Sequence, residues 1–413
     1  MKRILIIGMN YAPEITGIGK YTGELSCYLA KQNFHVQVVT GVPYYPNWAM
    51  LPGYKNNQYT SEVISDVHVL RSPMYIPNRV TGSSRVLQEI SFFLTSFFAT
   101  CYLMIRNKKF HVVLVVAPSM LSGLIGVWYR FWNRNSKFIY HIQDLQIDAA
   151  EELNMIRQPI VLIFLKRVER FILKNASTVS TISAGMKKRI LTKCKSIKKT
   201  MVLPNWVDDS KIFVSESNSS LLLQLGLPVD KKLILYSGAM GEKQGLSVLL
   251  DVAKWASVEQ PELHFVLSGT GPYANHLREK AVISNCTNIH FIELQPLEQF
   301  NQLLNSVWMH LVIQKANAAD LVLPSKLSNI MAVGGLVLVT ASENTSLYEI
   351  VNGHRTGYVV PPDDSTGLIN GIKYLHNNED VVVELKRNAQ QYAQRHLKKE
   401  HVINSFIQEL ETL

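Results

Sequence analysis

One pattern occurs twice in this chain and constrains its fold more than any other feature. A short apolar run ends in glycine, a glycine-containing loop follows, and a segment with helical spacing comes next. The first copy runs from Met1 to Gly8 and into a helix predicted over Tyr21 to Lys31. The second runs from Lys231 to Gly238 and into a helix predicted over Leu246 to Ser257. Continuous apolar runs of this length are typical of buried parallel strands, so each copy predicts the start of an open α/β domain.

Strands and helices alternate along the rest of the chain, which predicts an α/β fold with two parallel-sheet domains. The length of 413 residues is sufficient for two or three domains. The stretch from Asn205 to Leu227 is rich in Asp and Ser and is typical of a loop or linker. We therefore predict an N-terminal domain over residues 1–205, a C-terminal domain over residues 206–390, and a final helix over residues 391–413 that packs back towards the N-terminal domain.

The composition excludes several classes of protein. Hydrophobic residues make up 47% of the chain and charged residues 18%, which excludes a disordered chain. Four cysteines lie far apart and form no CxxC pair, so the chain lacks the spacing of a zinc ribbon or a disulfide framework. A reducing cytoplasm is the expected location. The apolar run at the N-terminus is too short for a signal peptide and is better interpreted as a strand.

The net charge of +10 suits anionic partners such as phosphorylated ligands, acidic lipids or nucleic acid. Most of that charge lies between Glu151 and Thr200, where Pro159 to Asn175 is predicted to form an amphipathic helix with one basic side. A second segment, Val86 to Ile105, contains only one charged residue, Glu89. It fits a buried helix, a helix lying in the lipid interface or a spanning helix. Both segments lie in the same half, which favours docking on an anionic membrane surface over a solvated basic face.

Two turns in the second half predict a site for a diphosphate. The turn from Ser237 to Gly245 follows a strand and precedes a helix, so that Lys243 can reach a phosphate at the helix N-terminus. A later loop ends at Ser325, a good N-cap residue, with Lys326 and Asn329 near the first helical turn. Two ordinary α/β turns with solvated lysines are the alternative. No DxD-type metal site is evident, so we expect protein cations, and no metal or cofactor, to neutralise a leaving diphosphate.

Candidate residues in the first half lie in loops after predicted strands, where open α/β sheets bind ligands. The Gly17-Ile18-Gly19 turn brings backbone amides towards an anion, although the full dinucleotide fingerprint is absent. His141 and Asp144 end a strand, and His141 is predicted to hydrogen-bond a sugar or move a proton, unless it is an ordinary strand-end histidine. Further candidates are Glu14 for a ligand hydroxyl, and Tyr44, Tyr45 and Trp48 for stacking on a ring or for packing alone.

Taken together, these stretches resemble the two-domain glycosyltransferases of the GT-B type, in the family-4 group of retaining, sugar-nucleotide-dependent enzymes. The resemblance covers nearly the whole chain and rests on Gly17 and Gly19, Ser180 to Ser183, Leu203 to Asp208 with Phe213, Gly238 to Lys243 with Gly245, and Gly269 to Pro272. More narrowly, the chain is similar to the colanic-acid-type transferases of enterobacterial exopolysaccharide and O-antigen assembly. That similarity rests on Asn10 to Glu24, Pro43 to Trp48, His141 to Asp144, Gly241 to Gly245 and Leu323 to Leu327.

The resemblance implies two Rossmann-like domains facing an interdomain cleft, the first binding the acceptor and the second the nucleotide sugar. It implies transfer of fucose from GDP-fucose to a polyprenyl-diphosphate-linked saccharide, at the inner face of the cytoplasmic membrane. Transfer of another hexose or an N-acetylhexosamine from a UDP or GDP sugar is the alternative within this class. A sugar-nucleotide epimerase and a basic nucleic-acid-binding protein are the alternatives from other classes. No RRM, KH or helix-turn-helix signature is visible, so no nucleic-acid partner is expected.

The chain departs from the family pattern at two places. The phosphate-binding arginine expected after the first glycine of the second-domain turn is replaced by Ala239 or Met240. The family's paired glutamates fall on Leu321 and Asn329, and we place Asp320 near the donor sugar instead. The predicted site residues are His141, Asp144 and Asp320 for catalysis, Gly17, Gly19, Gly238, Lys243, Gly271, Ser325, Lys326 and Asn329 for the donor, and Glu14, Tyr44 and Trp48 for the acceptor.

Overall fold

Two sets of parallel strands organise the chain. The computed structural model describes residues 2–14, 17–106, 108–152, 158–271, 273–316, 325–343 and 345–412, without the side chains of Ala149, Glu152, Lys243 and Ser325. The chain divides into two units, one formed by Met1–Pro204 with Ile403–Leu413, the other by Asn205–Val402. Of the segment predicted to pack towards the N-terminal domain, residues up to Val402 belong to the second unit and the later ones to the first.

The first unit contains an eight-stranded sheet with the order β3-β4-β2-β1-β5-β6-β7-β8. The strands are β1 (Arg3–Gly8), β2 (His35–Thr40), β3 (Thr60–Ile64), β4 (Val67–Arg71), β5 (Val112–Ala117), β6 (Lys137–Ile142), β7 (Thr178–Thr181) and β8 (Thr200–Val202). The helices are α1 (Gly17–Lys31), α2 (Gly82–Ile105), α3 (Gly123–Trp132), α4 (Gln146–Glu152), α5 (Pro159–Asn175) and α6 (Ala184–Lys193). All pairs are parallel except the edge pair of β3 with β4.

Local sequence explains why these elements form where they do. β5 is apolar at every position and lies in the middle of the sheet, where all six of its residues are buried. α2 begins after Thr81, whose side chain accepts a hydrogen bond from the amide of Ser84, while the Ser84 hydroxyl accepts one from the amide of Thr81. This reciprocal capping satisfies two amides that the first turn would otherwise leave without partners.

The second unit contains a six-stranded, fully parallel sheet with the order β11-β10-β9-β12-β13-β14. The strands are β9 (Lys232–Ser237), β10 (Leu263–Ser268), β11 (Ile289–Ile292), β12 (Met309–Val312), β13 (Val337–Thr340) and β14 (Tyr358–Val360). The helices are α7 (Ser219–Gln224), α8 (Val248–Glu259), α9 (Ala274–Ile283), α10 (Leu297–Asn305), α11 (Ser325–Ala332), α12 (Ser346–Gly353), α13 (Ser365–Asn377), α14 (Glu379–Tyr392) and α15 (Lys399–Glu411), the last of which continues into the first unit.

The order of the strands indicates at which edge of each sheet a ligand is expected to bind. In the second unit the chain runs from β9 to β10 on one side and later returns to β12 on the other side, so the order reverses at β9. In the first unit it reverses at β1, which lies between β2 and β5. Open α/β sheets bind ligands at the carboxyl ends of strands at such a switch point.

The predicted α/β architecture with two parallel-sheet domains is confirmed, with three differences in detail. The first helix begins at Gly17, four residues before the predicted start at Tyr21, so Gly17 and Gly19 belong to its first turn. His141 lies within β6 because that strand continues to Ile142. The antiparallel edge strand β3 was not predicted.

Candidate functional site

Two glycine turns pack against each other at the carboxyl ends of β9 and β10. The amide of Met240 donates to the carbonyl oxygen of Thr270 at 2.9 Å, which extends the contact between the strands into the turns. A Cβ atom on Gly269 would lie 1.9 Å from the carbonyl oxygen of Gly238, and one on Gly271 would lie 2.3 Å from that of Met240. Both glycines have φ near +155° (156° and 154°), a region that favours glycine. Glycine at both positions therefore lets the two turns meet.

Lys326 reaches the Gly238 turn from the first turn of α11. Its Nζ atom is buried, has no hydrogen-bond partner in the described part of the chain, and lies 3.6 Å from the centroid of the Tyr236 ring. The same atom is 3.2 Å from the position that a Cβ on Gly238 would occupy. Burial lowers the pKa of Lys326 to about 7. A buried cation without a counter-ion is unfavourable, so this place suits an anionic ligand.

The turn that carries Lys243 is a single helical turn, Glu242–Gln244, and ends at Gly245 with φ +67°. The Lys243 side chain lies outside the described residues. A Cβ on Gly245 would lie 3.0 Å from Cγ of Lys315 and 3.3 Å from a carboxylate oxygen of Asp363. Lys315 follows β12 and was missed by the sequence analysis, because nothing in its local pattern distinguishes it from a solvated lysine.

The remaining predicted donor residues lie around the start of α11. Ser325 is the first residue of that helix, although its side chain is outside the described residues. Asn329 lies one turn further along the helix and is half-buried. Asp320, predicted to lie near the donor sugar, falls within the undescribed residues 317–324.

In the first unit, the Glu14 side chain is buried and holds two loops together. Its Oε1 accepts hydrogen bonds from the backbone amides of Tyr44 at 3.1 Å and Tyr45 at 3.0 Å, and its Oε2 accepts one from the Asn10 side chain at 3.0 Å. Burial raises the pKa of Glu14, and these hydrogen bonds partly offset that rise. A Cβ on Gly19 would lie 2.4 Å from Oε2, so glycine at this position leaves room for the carboxylate. The Glu14 carboxylate is therefore hydrogen-bonded within the protein's own loops, whereas the sequence predicted a contact with the acceptor.

Arg71 at the end of β4 joins the same two loops. Its guanidinium donates to the carbonyl oxygens of Ala12 at 2.6 Å and Gly41 at 3.0 Å, and its Nε pairs with the carboxylate of Glu62. The ring of Tyr54 covers it at 4.8 Å. The side chain is 1% exposed, so Arg71 acts within the protein rather than on a ligand. Sequence reasoning missed this residue because its partners lie up to 59 residues away in the chain.

The aromatic loop after β2 divides into a buried and an accessible part. Tyr44 is 3% exposed and packs in a cluster with Phe92 of α2, whereas Tyr45 is 37% exposed. Trp48 is half-buried and meets both tyrosines edge to face, at 5.5 and 6.5 Å. The guanidinium carbon of Arg85 lies 5.2 Å from the centre of the Trp48 ring. Of the residues predicted to stack on a sugar, Tyr45 and Trp48 are therefore accessible and Tyr44 is not.

His141 and Asp144 occupy different environments near the carboxyl end of β6. His141 is buried, and its Nδ1 lies 2.6 Å from the hydroxyl of Ser180 on β7. Burial lowers the pKa of His141 to about 4, so the ring is neutral at pH 7 and suited to hydrogen bonding rather than to carrying charge. Asp144 is half-buried and lies close enough to Tyr45 for its charge to raise that phenol's pKa, after the larger effect of burial.

Glu89, the one acid in the apolar segment of α2, also faces this edge of the sheet. Its Oε1 accepts a hydrogen bond from the Gln146 side chain at 3.0 Å, and its carboxylate accepts another from the backbone amide of Met120. Burial raises its pKa, and the charge of Arg85 lowers it. Glu89 thus connects α2 to the loop after β5 and to the start of α4.

No cluster of metal ligands stands out beside these residues. Within the described ranges, no group of three or more His, Cys, Asp or Glu side chains is arranged to hold a metal ion. All four cysteines are free thiols.

Helices α2, α3 and α5 lie side by side in the first unit and expose large apolar side chains. Phe97 of α2 meets Trp128 of α3 edge to face, with 4.8 Å between the ring centroids, and this contact joins two of the helices. In the part of the chain that is described, α2 alone is long and apolar enough to cross a bilayer, and 33% of its most apolar window is buried. The side chains that are about half exposed or more are Val86, Leu87, Leu94, Phe98, Tyr102 and Ile105 on α2, Phe131 and Trp132 on α3, and Ile160, Ile163, Phe164 and Phe171 on α5.

Comparison with known proteins identifies both halves of the chain. The family described as "Glycosyl transferase 4-like domain" matches residues 16–206, and that described as "Glycosyl transferases group 1" matches residues 222–396. The chain is 34% identical over 416 residues to WcaI of Escherichia coli K12, which is assigned as a colanic acid biosynthesis glycosyl transferase. That similarity covers 99% of each chain.

Solved structures show the same fold. Sucrose-phosphate synthase from Thermosynechococcus elongatus superposes with a TM-score of 0.75 at 17% identity, over 100% of this chain and 99% of that one. Anabaena HepE, solved in complex with UDP and glucose, superposes with a TM-score of 0.71 at 14% identity over 100% of both chains. Since its whole length matches these transferases, the chain belongs to the group 1, family-4-type glycosyltransferases, which are retaining, nucleotide-sugar-dependent enzymes with the GT-B fold.

Proposed function

We propose that this enzyme transfers fucose from GDP-fucose to a polyprenyl-diphosphate-linked saccharide during exopolysaccharide or O-antigen assembly. The assignment of a nucleotide-sugar donor rests on one observation, the buried Nζ of Lys326 beside the Gly238 turn. A buried lysine nitrogen that has no hydrogen-bond partner in the described part of the chain, next to closely packed backbone turns, suits a nucleoside diphosphate. Similarity to WcaI, named for colanic acid biosynthesis, supports the polysaccharide role.

The proposed mechanism places each group where charge develops. As the bond between the sugar and the diphosphate breaks, negative charge accumulates on the leaving oxygen, and fixed cations and amides at that point lower the barrier. Lys326 supplies the cation, the first turn of α11 supplies amides, and Lys243 and Lys315 lie in or beside the neighbouring turn. His141 remains neutral and is available for hydrogen bonding to a sugar hydroxyl.

The base and the sugar of the donor are tested by calorimetry with GDP-fucose, GDP and UDP-glucose. We expect the guanosine ligands to bind most tightly, and Lys326→Met to weaken them at least tenfold, as the loss of a charge-assisted contact would. Lys232→Met is the matched control, because Lys232 also lies over an aromatic ring, 5.2 Å from the Trp308 centroid, but at the opposite end of β9. Tighter binding of UDP-glucose would replace fucose with another sugar, as the UDP complex of HepE suggests. Unchanged affinity in Lys326→Met would contradict the phosphate assignment.

We further propose that the exposed layer of α2, α3 and α5 docks on the anionic inner face of the cytoplasmic membrane. Exposed arginines accompany the apolar side chains, among them Arg106 after α2, Arg134 after α3, and Arg167 and Arg170 on α5. Apolar and basic residues together are typical of helices that lie in a lipid interface. Nothing in this surface requires a helix to cross the bilayer.

Vesicle flotation tests the membrane proposal. The wild-type enzyme should float with phosphatidylglycerol vesicles, and the double variant Phe98→Glu with Phe164→Glu should remain in solution, because each side chain is 61% exposed. Ile283→Glu on α9 of the second unit is the control, because that side chain is 81% exposed and lies outside the layer. Binding to oligonucleotides without binding to vesicles would favour the nucleic-acid alternative instead.

A further inference from the structure

We propose that Arg85 and Trp48 form the binding site for the anionic phosphate group of the acceptor, at the start of α2. The proposal rests on the proposed function, in which the acceptor is a lipid-linked diphosphate. It assigns a contact that neither the sequence motifs nor the family comparison supplied.

The guanidinium of Arg85 is available to a ligand. The residue is exposed, and no hydrogen bond or ion pair holds its side chain among the residues that the structure describes. Within the described residues its guanidinium lies over Trp48, 5.2 Å from the ring centre, and its charge also acts on the carboxyl of Glu89. Stacking on an aromatic ring leaves the planar N–H donors of arginine free, and they match two phosphate oxygens at once.

The neighbouring residues provide the contacts that a saccharide needs. Tyr45 is 37% exposed, and both Asp144 and Arg85 lie close enough for their charges to act on its hydroxyl. Trp48 offers a ring face for a sugar, and the half-buried Asp144 lies close to Tyr45. Glu14, the predicted acceptor contact, is buried and fully hydrogen-bonded within its loops. The accessible cluster of Tyr45, Trp48, Arg85 and Asp144 therefore replaces it as the acceptor site.

The position of Arg85 suits the head of a lipid-linked molecule. α2 connects β4 to β5, so its first turn lies at the carboxyl edge of the sheet, where ligands bind. The exposed apolar residues of the helix begin at the next two positions, Val86 and Leu87, which are 55% and 51% exposed. They recur at helical spacing as far as Ile105, over a helix of about 36 Å. An isoprenoid chain lying along this surface would place its phosphate at the start of the helix.

The same helix contains a matched control. The guanidinium of Arg106 lies 5.1 Å from the centre of the Tyr102 ring, which closely repeats the arrangement of Arg85 over Trp48. Arg106 is also exposed and also adjoins the apolar surface. It follows the last turn of α2, however, at the amino edge of the sheet, where no acceptor site is expected. A general effect of charge at the membrane would involve both arginines, whereas a specific phosphate site involves Arg85 alone.

Calorimetry with farnesyl diphosphate and farnesol as probes tests this proposal without an assay of activity. We expect Arg85→Ala to weaken binding of farnesyl diphosphate about tenfold or more, Arg85→Lys to weaken it less, and Arg106→Ala to leave it within about twofold of wild type. Binding of farnesol should be the same in all four proteins, because it lacks the phosphate. Thermal unfolding confirms that each variant is folded.

The outcomes separate this proposal from the one on which it rests. Equal losses in Arg85→Ala and Arg106→Ala, an unaltered affinity in Arg85→Ala, or no binding of farnesyl diphosphate to the wild type would each overturn the acceptor site. Flotation with phosphatidylglycerol vesicles distinguishes the acceptor phosphate from lipid headgroups, because headgroup binding would be weakened equally by both alanine variants. Failure of GDP-fucose and UDP-glucose to bind any of these proteins would refute the donor assignment instead and would leave the result for Arg85 intact.

Discussion

Donor binding should be coupled to the uptake of a proton by Lys326. The Nζ atom is buried over the Tyr236 ring, and burial lowers the pKa of Lys326 to about 7, against 10.5 for a free lysine. Among the described residues, no charged neighbour contributes to that shift. A diphosphate at the Gly238 turn introduces the missing counter-charge, and an opposite charge at short range raises the pKa of the ammonium. The ligand therefore binds best to the protonated form.

The size of the effect follows from these values. A lysine with a pKa of about 7 is about nine-tenths neutral at pH 8. If the diphosphate raises the pKa by about 1–3 units, binding at pH 8 takes up about 0.4–0.9 of a proton. Since the bound state holds more protons, the affinity decreases as the pH rises, by about five- to fiftyfold between pH 7 and pH 9.

Calorimetry in two buffers of different ionisation enthalpy measures the proton uptake directly. A nucleotide sugar is the proper ligand, because its diphosphate has no free terminal phosphate that titrates near neutral pH. Lys326→Arg should bind the donor without taking up a proton, because arginine stays charged throughout this range. Lys232→Met, at the other end of β9, should behave like the wild type. Tight binding by the wild type with no proton uptake at pH 8 would refute this reasoning.

Four further results are expected. Lys326→Met should unfold at a higher temperature than the wild type at pH 7. Between pH 7 and 10.5 the unfolded chain binds more protons at this lysine than the folded protein does. Burial of Lys326 therefore lowers the free energy of unfolding at pH 7, and this loss becomes smaller as the pH rises towards 10.5. Gly269→Ala should abolish donor binding, whereas Gly353→Ala, where a Cβ meets nothing within 4 Å, should not. Glu14→Gln should lower the free energy of unfolding in urea by about 1–3 kcal/mol, because its amide cannot accept every bond that the carboxylate does. Activity should persist in excess EDTA, and a complete loss that added metal reverses would contradict the metal-free mechanism.

The strands could be predicted from the sequence wherever burial was complete. β1 and β9 are apolar runs whose inner residues are all buried, and such runs are easy to recognise. The edge strand β3 could not be recognised, because its residues alternate between half-buried and exposed and carry no apolar run. The start of α1 was placed too late because Gly17 and Gly19 are typical of a loop, whereas both lie in the first turn of the helix, where a Cβ would approach Tyr45 and Glu14.

The two halves of the site differ in how far the sequence predicted them. Around Lys326 the glycine turns and the helix start are each visible as a short local motif, although the contact of Lys326 with the Gly238 turn is itself non-local. In the first unit the contacts are non-local: Glu14 bonds to amides 30 and 31 residues away, and Glu89 bonds to a side chain 57 residues away. A carboxylate in a loop or on an apolar helix does not indicate whether its partners are solvent, a ligand or the protein's own backbone.

The family resemblance implies a phosphate-binding arginine where this chain has Ala239 or Met240, and this difference bears on the electrostatics of the proposed donor site. An arginine stays charged at any physiological pH, so a buried one needs a permanent partner or water. Here Met240 is buried in the turn, and the cation comes from α11 as a lysine, a group that can lose its proton when no anion is present. The neutral amine then needs no counter-ion and can lie over the Tyr236 ring. A lysine that loses its proton can therefore be buried without a hydrogen-bond partner in the described part of the chain, which a permanently charged arginine could not.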